Sequence, residues 1–320
     1  MAARGEPVTT IDFQAGGRNH HYGRIAHWLA GHLWECMPDV SVNIKVGEEY
    51  RDLRAVGDGK VQLGVQTPAA SARLAYDGTA TYDDRPRPAL RAIGVVPHRD
   101  ALVLGAVQEL NLNAIEDIRD RRVPVRLSVP IESMMTGHAS KHLLALHGIT
   151  RDGLESWGGR WIDTDSAQEA WRMVASGAAD AMINESIPQS FRPLSKLRPI
   201  RLLQMRQDAV EELQAELGYR WRQVTAGSVQ GQDEPVIGLS WEHWIVVAHE
   251  SLPEQVAYYL ADAFFTDRTR LERQYTADDR LPPDQVSLEA PMNPETVANE
   301  VTIPLHPGAE RRYREGGALK

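Results

Sequence analysis

Ile11 and Phe13 alternate with polar neighbours, as in a half-buried strand. Two glycines follow, and Ile25, Trp28, Leu29 and Leu33 then recur at helical spacing. The pattern predicts a strand, a glycine turn and an amphipathic helix from about His21 to Trp34, with Asn19 as its cap. Val40, Val42, Ile44 and Val46 alternate again as a strand at a sheet edge or with one face exposed. A helical segment (Tyr50–Val56), a short apolar strand (Val61–Val65) and a helix (Ala69–Tyr76) follow, then strands at Ala92–Val96 and Ala101–Val107. From Leu112 the alternation restarts. Strands are expected at Val123–Val129, Trp161–Ile162, Ala179–Ile183 and Ile200–Leu203, and helices at Ala114–Arg119, Thr136–His147, Asp165–Ser176 and Asp208–Leu217. Residues 225–235 are rich in Gly, Ser, Gln and Asp. A strand from Trp241 to Ala248, a long helix through Phe265 and a charged, proline-punctuated tail close the chain. Strands alternating with helices throughout argue for a mostly parallel sheet in each of two α/β units.

Composition narrows the classes. At 320 residues and 42% hydrophobic the chain can bury a sizeable core, and its length favours two lobes over one. Lys plus Arg is 35 against 44 Asp plus Glu, for a net charge of -9, so nucleic acid and anionic membrane are not expected partners. The single cysteine, Cys36, excludes an intrachain disulfide and a zinc ribbon. Met1 to Thr10 hold no apolar run behind a basic start, so no secretory leader is expected in that stretch, and no apolar run is long enough to span a membrane.

The stretch Gly16-Gly17-Arg18-Asn19-His20-His21-Tyr22, between a strand and a helix start, has the chemistry of an anion cradle. The first helical N–H groups point outward, the helix dipole favours negative charge, and Arg18 adds a cation. An ordinary strand-to-helix connection with a solvated arginine is the plainer alternative. His20 and His21 are cleft donors or polar surface.

Three further stretches carry a family resemblance: "IPLHPGAERRYRE" at Ile303 to Glu315, "AGSVQGQDEPVIG" at Ala226 to Gly238, and "GAADAMIN" at Gly177 to Asn184. In this order they resemble the solute-binding receptors of TRAP transporters, specifically the TAXI subfamily, over nearly the whole chain. The resemblance implies a two-lobed type II periplasmic-binding-protein fold with two crossover strands. Lobe I would hold residues 1–104 and 240–320, and lobe II residues 105–239. It also implies a non-enzymatic receptor, periplasmic, monomeric and without a cofactor, that closes over a small organic anion (a carboxylate or amino acid) and delivers it to membrane transporter subunits without inserting into the membrane itself. The alternative is a cytoplasmic ligand sensor or enzyme on the same fold.

Ligands of such folds bind at strand C-terminal ends and helix N-termini. That rule names Gly17, Arg18, Asn19, His20, His21, Tyr22, Gln66 and Thr67 in the first lobe. In the second it names Ser133, Met134, Met135, Thr136, Asn184, Glu185, Gly227 and Ser228. The family pattern is departed from in three places. Asn19 and His20 stand where glycines are expected, Pro130 to Thr136 replaces a small anion loop, and Gly227-Ser228-Val229 replaces Gly-Thr-Tyr. Met134 and Met135 would pack an apolar ligand tail or the lobe core. His138 and His142, four apart, have metal-ligand spacing, but with no third ligand at a fixed offset they are expected to be a surface pair; no metal is expected. Trp241 and Trp244 flank His243 and are expected to pack in the core, stacking on an aromatic ligand being the alternative, and no catalytic triad is recognisable.

Overall fold

The computed structural model describes residues 9–16, 20–47, 53–185, 188–227, 232–276 and 286–320, with the backbone alone for 188–192. In chain order the strands and helices begin with β1 (Thr9–Gln14), α1 (His21–Cys36), β2 (Val40–Lys45), α2 (Arg54–Gly57), β3 (Leu63–Gln66), α3 (Ala70–Asp77), β4 (Leu90–Val96) and β5 (Ala101–Val107). They continue with α4 (Glu116–Asp120), β6 (Arg126–Pro130), α5 (Met135–Leu146), α6 (Arg151–Ser156), β7 (Arg160–Thr164), α7 (Ala167–Ser176), β8 (Ala181–Glu185), α8 (Pro188–Leu197), β9 (Ile200–Leu202) and α9 (Gln207–Leu217). The last elements are β10 (Trp221–Val224), β11 (Val236–Ser240), β12 (Trp244–His249), α10 (Glu254–Thr266), α11 (Arg268–Thr276), α12 (Pro294–Asn299) and α13 (Pro307–Glu315).

The described residues form two compact units. Unit 1 draws on Met1–His98, Glu242–Pro283 and Leu288–Lys320, and unit 2 on Arg99–Trp241 and Asp284–Ser287.

Unit 1 holds a five-stranded sheet in the order β2-β1-β3-β12-β4. β1 pairs in parallel with β2 and β3, the pairing that a helical crossover between strands allows. β12 slots antiparallel between β3 and β4, with Ile245 opposite Gln66 and Trp244 opposite Val96. The sheet is therefore mixed, and the mostly parallel expectation holds only for its βαβ half. The reason is chain direction: β12 arrives from unit 2 and can only run back along β3. α1 covers the sheet through Ile25, Ala26, Trp28, Leu29 and Leu33, all buried, which is the stripe its periodicity predicts. Each buried isoleucine or leucine among them contributes about 1.5–3 kcal/mol by leaving water. The cap of α1 is His20, with extended backbone and no side-chain capping bond; Asn19 lies outside the described residues.

The tail segment "IPLHPGAERRYRE" is accounted for by packing within unit 1. The His306 ring accepts the Gly308 N–H at 3.3 Å to cap α13, Pro307 takes the first helical position, and Tyr313 is buried with its hydroxyl donating to Ile93 O at 3.0 Å. Gly308 is required by close approach, since a Cβ there would sit 2.0 Å from Glu254 O of α10.

Unit 2 holds a sheet in the order β10-β11-β5-β8-β6-β7, with β9 also pairing with β5. β6 runs parallel to both β7 and β8, whereas β5 is antiparallel to β8, β9 and β11. This sheet too is mixed. β5 and β11, which enter and leave the unit, lie side by side, with Leu239 opposite Leu102 and Ser240 opposite Ala101; the Trp241 N–H donates to Asp100 O at 3.0 Å. Its core is built from Val103, Val107, Ala170, Val174, Met182 and Ile200, among others.

The predicted strand at Trp241–Ala248 starts three residues later, at Trp244, and the predicted helix from Tyr50 is confined to Arg54–Gly57 among the described residues. Among the described residues no helix is long and apolar enough to cross a membrane.

Candidate functional site

In unit 1, β1, β2 and β3 end at one edge of the sheet, and α1 starts beside it. Gly17, Arg18 and Asn19 lie outside the described residues. His21 is stacked at 4.8 Å from Trp244 and at 5.5 Å from Tyr275, and its Nδ1 is 2.8 Å from the Tyr275 hydroxyl. Trp244 is stacked in turn with His98 at 4.1 Å. The His98 Nε2 lies 3.1 Å from Thr67 Oγ1, and the His98 backbone N–H donates to His243 Nδ1 at 3.1 Å. A continuous series of rings, Tyr275–His21–Trp244–His98, thus links the start of α1 to the end of β3. The sequence-predicted His21 and Thr67 are joined through it. His20 meets Tyr22 edge-on at 4.9 Å, and Gln66 is buried at the last position of β3.

Burial sets the charge state of this edge. The His21 imidazole is pushed down to about 3, first by burial and then by the neighbouring His20 and the Arg24 cation. His20 is lowered by burial and by Arg24. Burial also lowers His243, against the opposing pull of Glu242, Glu289 and Glu300. Since His243 Nδ1 accepts a backbone N–H, its proton sits on Nε2. At neutral pH these three rings are neutral. The fixed cation beside them is Arg24, whose guanidinium lies 5.2 Å above the Tyr275 ring.

In unit 2, the parallel strands β6 and β8 end side by side. The turn after β6 holds Ser133, exposed, Met134 and Thr136, partly buried, and Met135, buried in the first turn of α5. That turn folds tightly: the Met134 N–H donates to Ile131 O at 3.1 Å, and a Cβ on Gly137 would lie 1.8 Å from the same oxygen. At the end of β8, Asn184 is buried and its Oδ1 accepts the Glu185 N–H at 2.8 Å. The Glu185 carboxyl is hydrogen-bonded to that of Asp100, which precedes β5. Burial raises both, Asp100 to about 7, and their mutual repulsion lifts Glu185 further; Ser287, Arg222 and Arg99 partly oppose the rise at Asp100. The pair holds a proton between its carboxyls where two exposed acids would hold none. Gly227 is exposed with φ +78°, its N–H donating to Gln232 O at 2.7 Å, and Ser228 lies outside the described residues.

His138 and His142 meet edge-on at 6.3 Å, and His142 faces Glu216 at 3.2 Å, in keeping with a surface pair. Sequence reasoning missed His98, Tyr275 and Asp100, and for Trp244 it weighed core packing and stacking on a ligand but not stacking on histidines of the chain itself. Trp244 is buried in the core, and it also joins the two histidines. The available signal was the polar residues immediately flanking apolar strands: His98 and Asp100 sit between two of them.

Residues 32–317 match the NMT1-like family. The chain belongs to this family. Among solved structures, this NMT1-like protein is similar to a TctC solute-binding protein from Polaromonas, with a TM-score of 0.53 at 12% identity over 88% of this chain and 91% of that one. It is also similar to a protein described as a periplasmic transporter (TM-score 0.49, 15% identity, 97% and 96% covered) and to R. palustris Rpa4515 with adipate (TM-score 0.48, 19% identity, 82% and 85% covered). The fold is the type II periplasmic-binding-protein fold, with two sheets flanked by helices.

Proposed function

We propose that this NMT1-like protein is a non-enzymatic solute-binding receptor. Its ligand is a small organic anion, a carboxylate or an amino acid, bound at the strand-end edge of unit 1 and passed in the periplasm to a TRAP-type membrane transporter. The observation that carries this reading is the edge of unit 1. There the start of a 16-residue helix, a fixed cation at Arg24 and a ring series closed by a hydroxyl at Thr67 meet beside the ends of three parallel strands. A helix start and a guanidinium favour a carboxylate. Neutral imidazoles offer it hydrogen bonds while adding no charge to be neutralised.

The TRAP partner and the TAXI placement rest on the sequence motifs, the periplasmic location on the receptor fold as well. The TctC solute-binding protein shares that fold, which fits ligand capture.

A thermal-shift screen of small carboxylates and amino acids tests the reading. A ligand that binds only the native chain, at about 100 times its dissociation constant, should stabilise it by roughly 2.7 kcal/mol. The absence of any shift, with apolar acids included in the screen, would overturn it.

A further inference from the structure

The far end of α1 holds a second cluster, unrelated to the strand-end residues. His32 and Cys36 stand one helical turn apart on the same face, and α10 brings Asp262 against them. The His32 Nε2 is 3.2 Å from Asp262 Oδ2 and 3.5 Å from Cys36 Sγ, and all three atoms lie within 4.8 Å of one another. A tetrahedral ion with N and O at about 2.0–2.1 Å and S at about 2.3 Å has edges of roughly 3.4 Å for N···O and 3.5 Å for N···S. The two separations from the imidazole nitrogen, 3.2 and 3.5 Å, lie close to those edges before any ion is placed, and the sulfur and carboxylate oxygen are within 4.8 Å of each other.

The surroundings fit the same chemistry. The other ring nitrogen, His32 Nδ1, faces Asp267 Oδ2 at 3.9 Å, an oxygen that is buried and has no hydrogen-bond partner. A carboxylate behind the ring is the arrangement that orients a ligating imidazole. Asp262 is itself held: its Oδ1 accepts from Arg312 Nε at 2.6 Å, and Oδ2 accepts from the Thr266 hydroxyl at 2.9 Å. The Asp267 Oδ1 is engaged by Arg270 at 3.3 Å, which leaves Oδ2 for the imidazole.

We infer that His32 Nε2, Cys36 Sγ and Asp262 Oδ2 bind a thiophilic divalent cation, zinc fitting best, with Asp267 positioning the imidazole and water as the fourth ligand. Thiolate, imidazole and carboxylate together suit zinc, whereas magnesium and calcium prefer all-oxygen shells. Coordination replaces the Cys36 thiol proton, which leaves to solvent. Cys36 is only partly buried, so an ion can reach the sulfur.

The test uses the full chain, freed of metal by dialysis against a chelator and titrated with Co²⁺. The expected result is a thiolate-to-cobalt charge-transfer absorption that saturates at one equivalent and is bleached by Zn²⁺. Cys36→Ala, checked for native circular dichroism, should lose the band and weaken zinc binding beyond the roughly 10- to 100-fold typical of losing an outer partner. Asp267→Asn should keep the band and weaken binding within that range. Cobalt binding without a thiolate band, or equal zinc affinity for wild type and Cys36→Ala, would overturn the assignment and leave the cluster as an ion pair beside a bystander thiol. Because these readouts involve no solute, failure here is independent of the receptor reading.

Discussion

The strand-end edges of the two units solve the same problem from opposite sides. Each buries ionisable groups beside the ends of parallel strands. In unit 1 they are imidazoles, driven down so that they shed their protons; in unit 2 they are carboxyls, driven up so that one is kept. Burial penalises the charged form in both cases, so the unit 1 imidazoles lose their charge and the unit 2 carboxyl pair carries one charge where two exposed acids would carry two. The two edges also differ in how they are held. That of unit 1 is fastened by ring stacking across segments far apart in sequence, from His21 to Tyr275, and that of unit 2 by a carboxyl pair between the start of β5 and the end of β8. The stability of a stack depends first on its rings, whereas that of a carboxyl pair depends on its polar atoms.

The largest effect should come from removing the ring that joins the histidines. Trp244→Ala deletes a buried indole from the core of unit 1 and leaves His21 and His98 without their common partner, so a loss of about 3–5 kcal/mol is expected in chemical denaturation. Trp244→Phe should recover most of it. Near-neutral behaviour of the alanine variant would show that the stack contributes nothing. In unit 2 the matching change is Gly137→Ala, which places a methyl against Ile131 O and should cost about 3 kcal/mol, the upper end for an overpacked position.

Acid and base limbs separate the units more finely. His21 is neutral in the folded chain down to about pH 3 but titrates near 6.5 when unfolded. The unfolded chain therefore binds the extra proton, and this contribution is complete above about pH 6.5 and lost as pH falls, by up to about 1.4 kcal/mol per pH unit. Asp100 has the opposite sign. Its folded carboxyl titrates near 7, so its contribution is complete below about pH 4, the ordinary range of an aspartate, and is lost as pH rises toward 7. His21→Phe should gain stability relative to wild type as pH drops below 6.5, and Asp100→Asn should gain as pH rises from 4 to 7. Denaturation midpoints across pH 4–8 check both; parallel curves for either variant would refute neutralisation at that edge.

How much of this was legible in the sequence follows from how local each feature is. The stripe of α1 and the alternation of β1 were readable because Ile25, Trp28, Leu29, Ile11 and Phe13 encode their own burial by spacing. The direction of β12 was not, since it depends on where the chain re-enters unit 1, and so the mixed sheets escaped the periodicity argument. Glu185 was singled out as a polar strand tip, but its partner Asp100 is 85 positions away and carries no mark of the pairing. The ring series was hidden for the same reason: four aromatic side chains from four segments meet only after the sheet has formed. His32 and Cys36 did carry readable spacing, though Asp262, from another helix, is what turns that spacing into a cluster.

The finest distinction concerns single hydrogen bonds at the two edges. In unit 1 the Thr67 hydroxyl meets His98 Nε2 at 3.1 Å, and in unit 2 the Ser128 hydroxyl meets Thr164 Oγ1 at 3.2 Å, all four residues being buried. Thr67→Val keeps the shape and removes the hydroxyl, so it should cost about 1 kcal/mol, and Ser128→Ala should cost about the same. Their effects on binding should part company. Thr67 fixes a ring that stacks on Trp244, so its loss frees the series to rotate and should weaken ligand binding several-fold. Ser128 lies within β6, before the turn that carries Ser133 to Thr136, and its loss should leave affinity unchanged. Isothermal titration of both variants with an anion found in the thermal screen would decide the point. Equal affinities for Thr67→Val and wild type would mean that the stack holds its geometry without the hydroxyl, and that the ordering of the unit 1 edge comes from the rings alone.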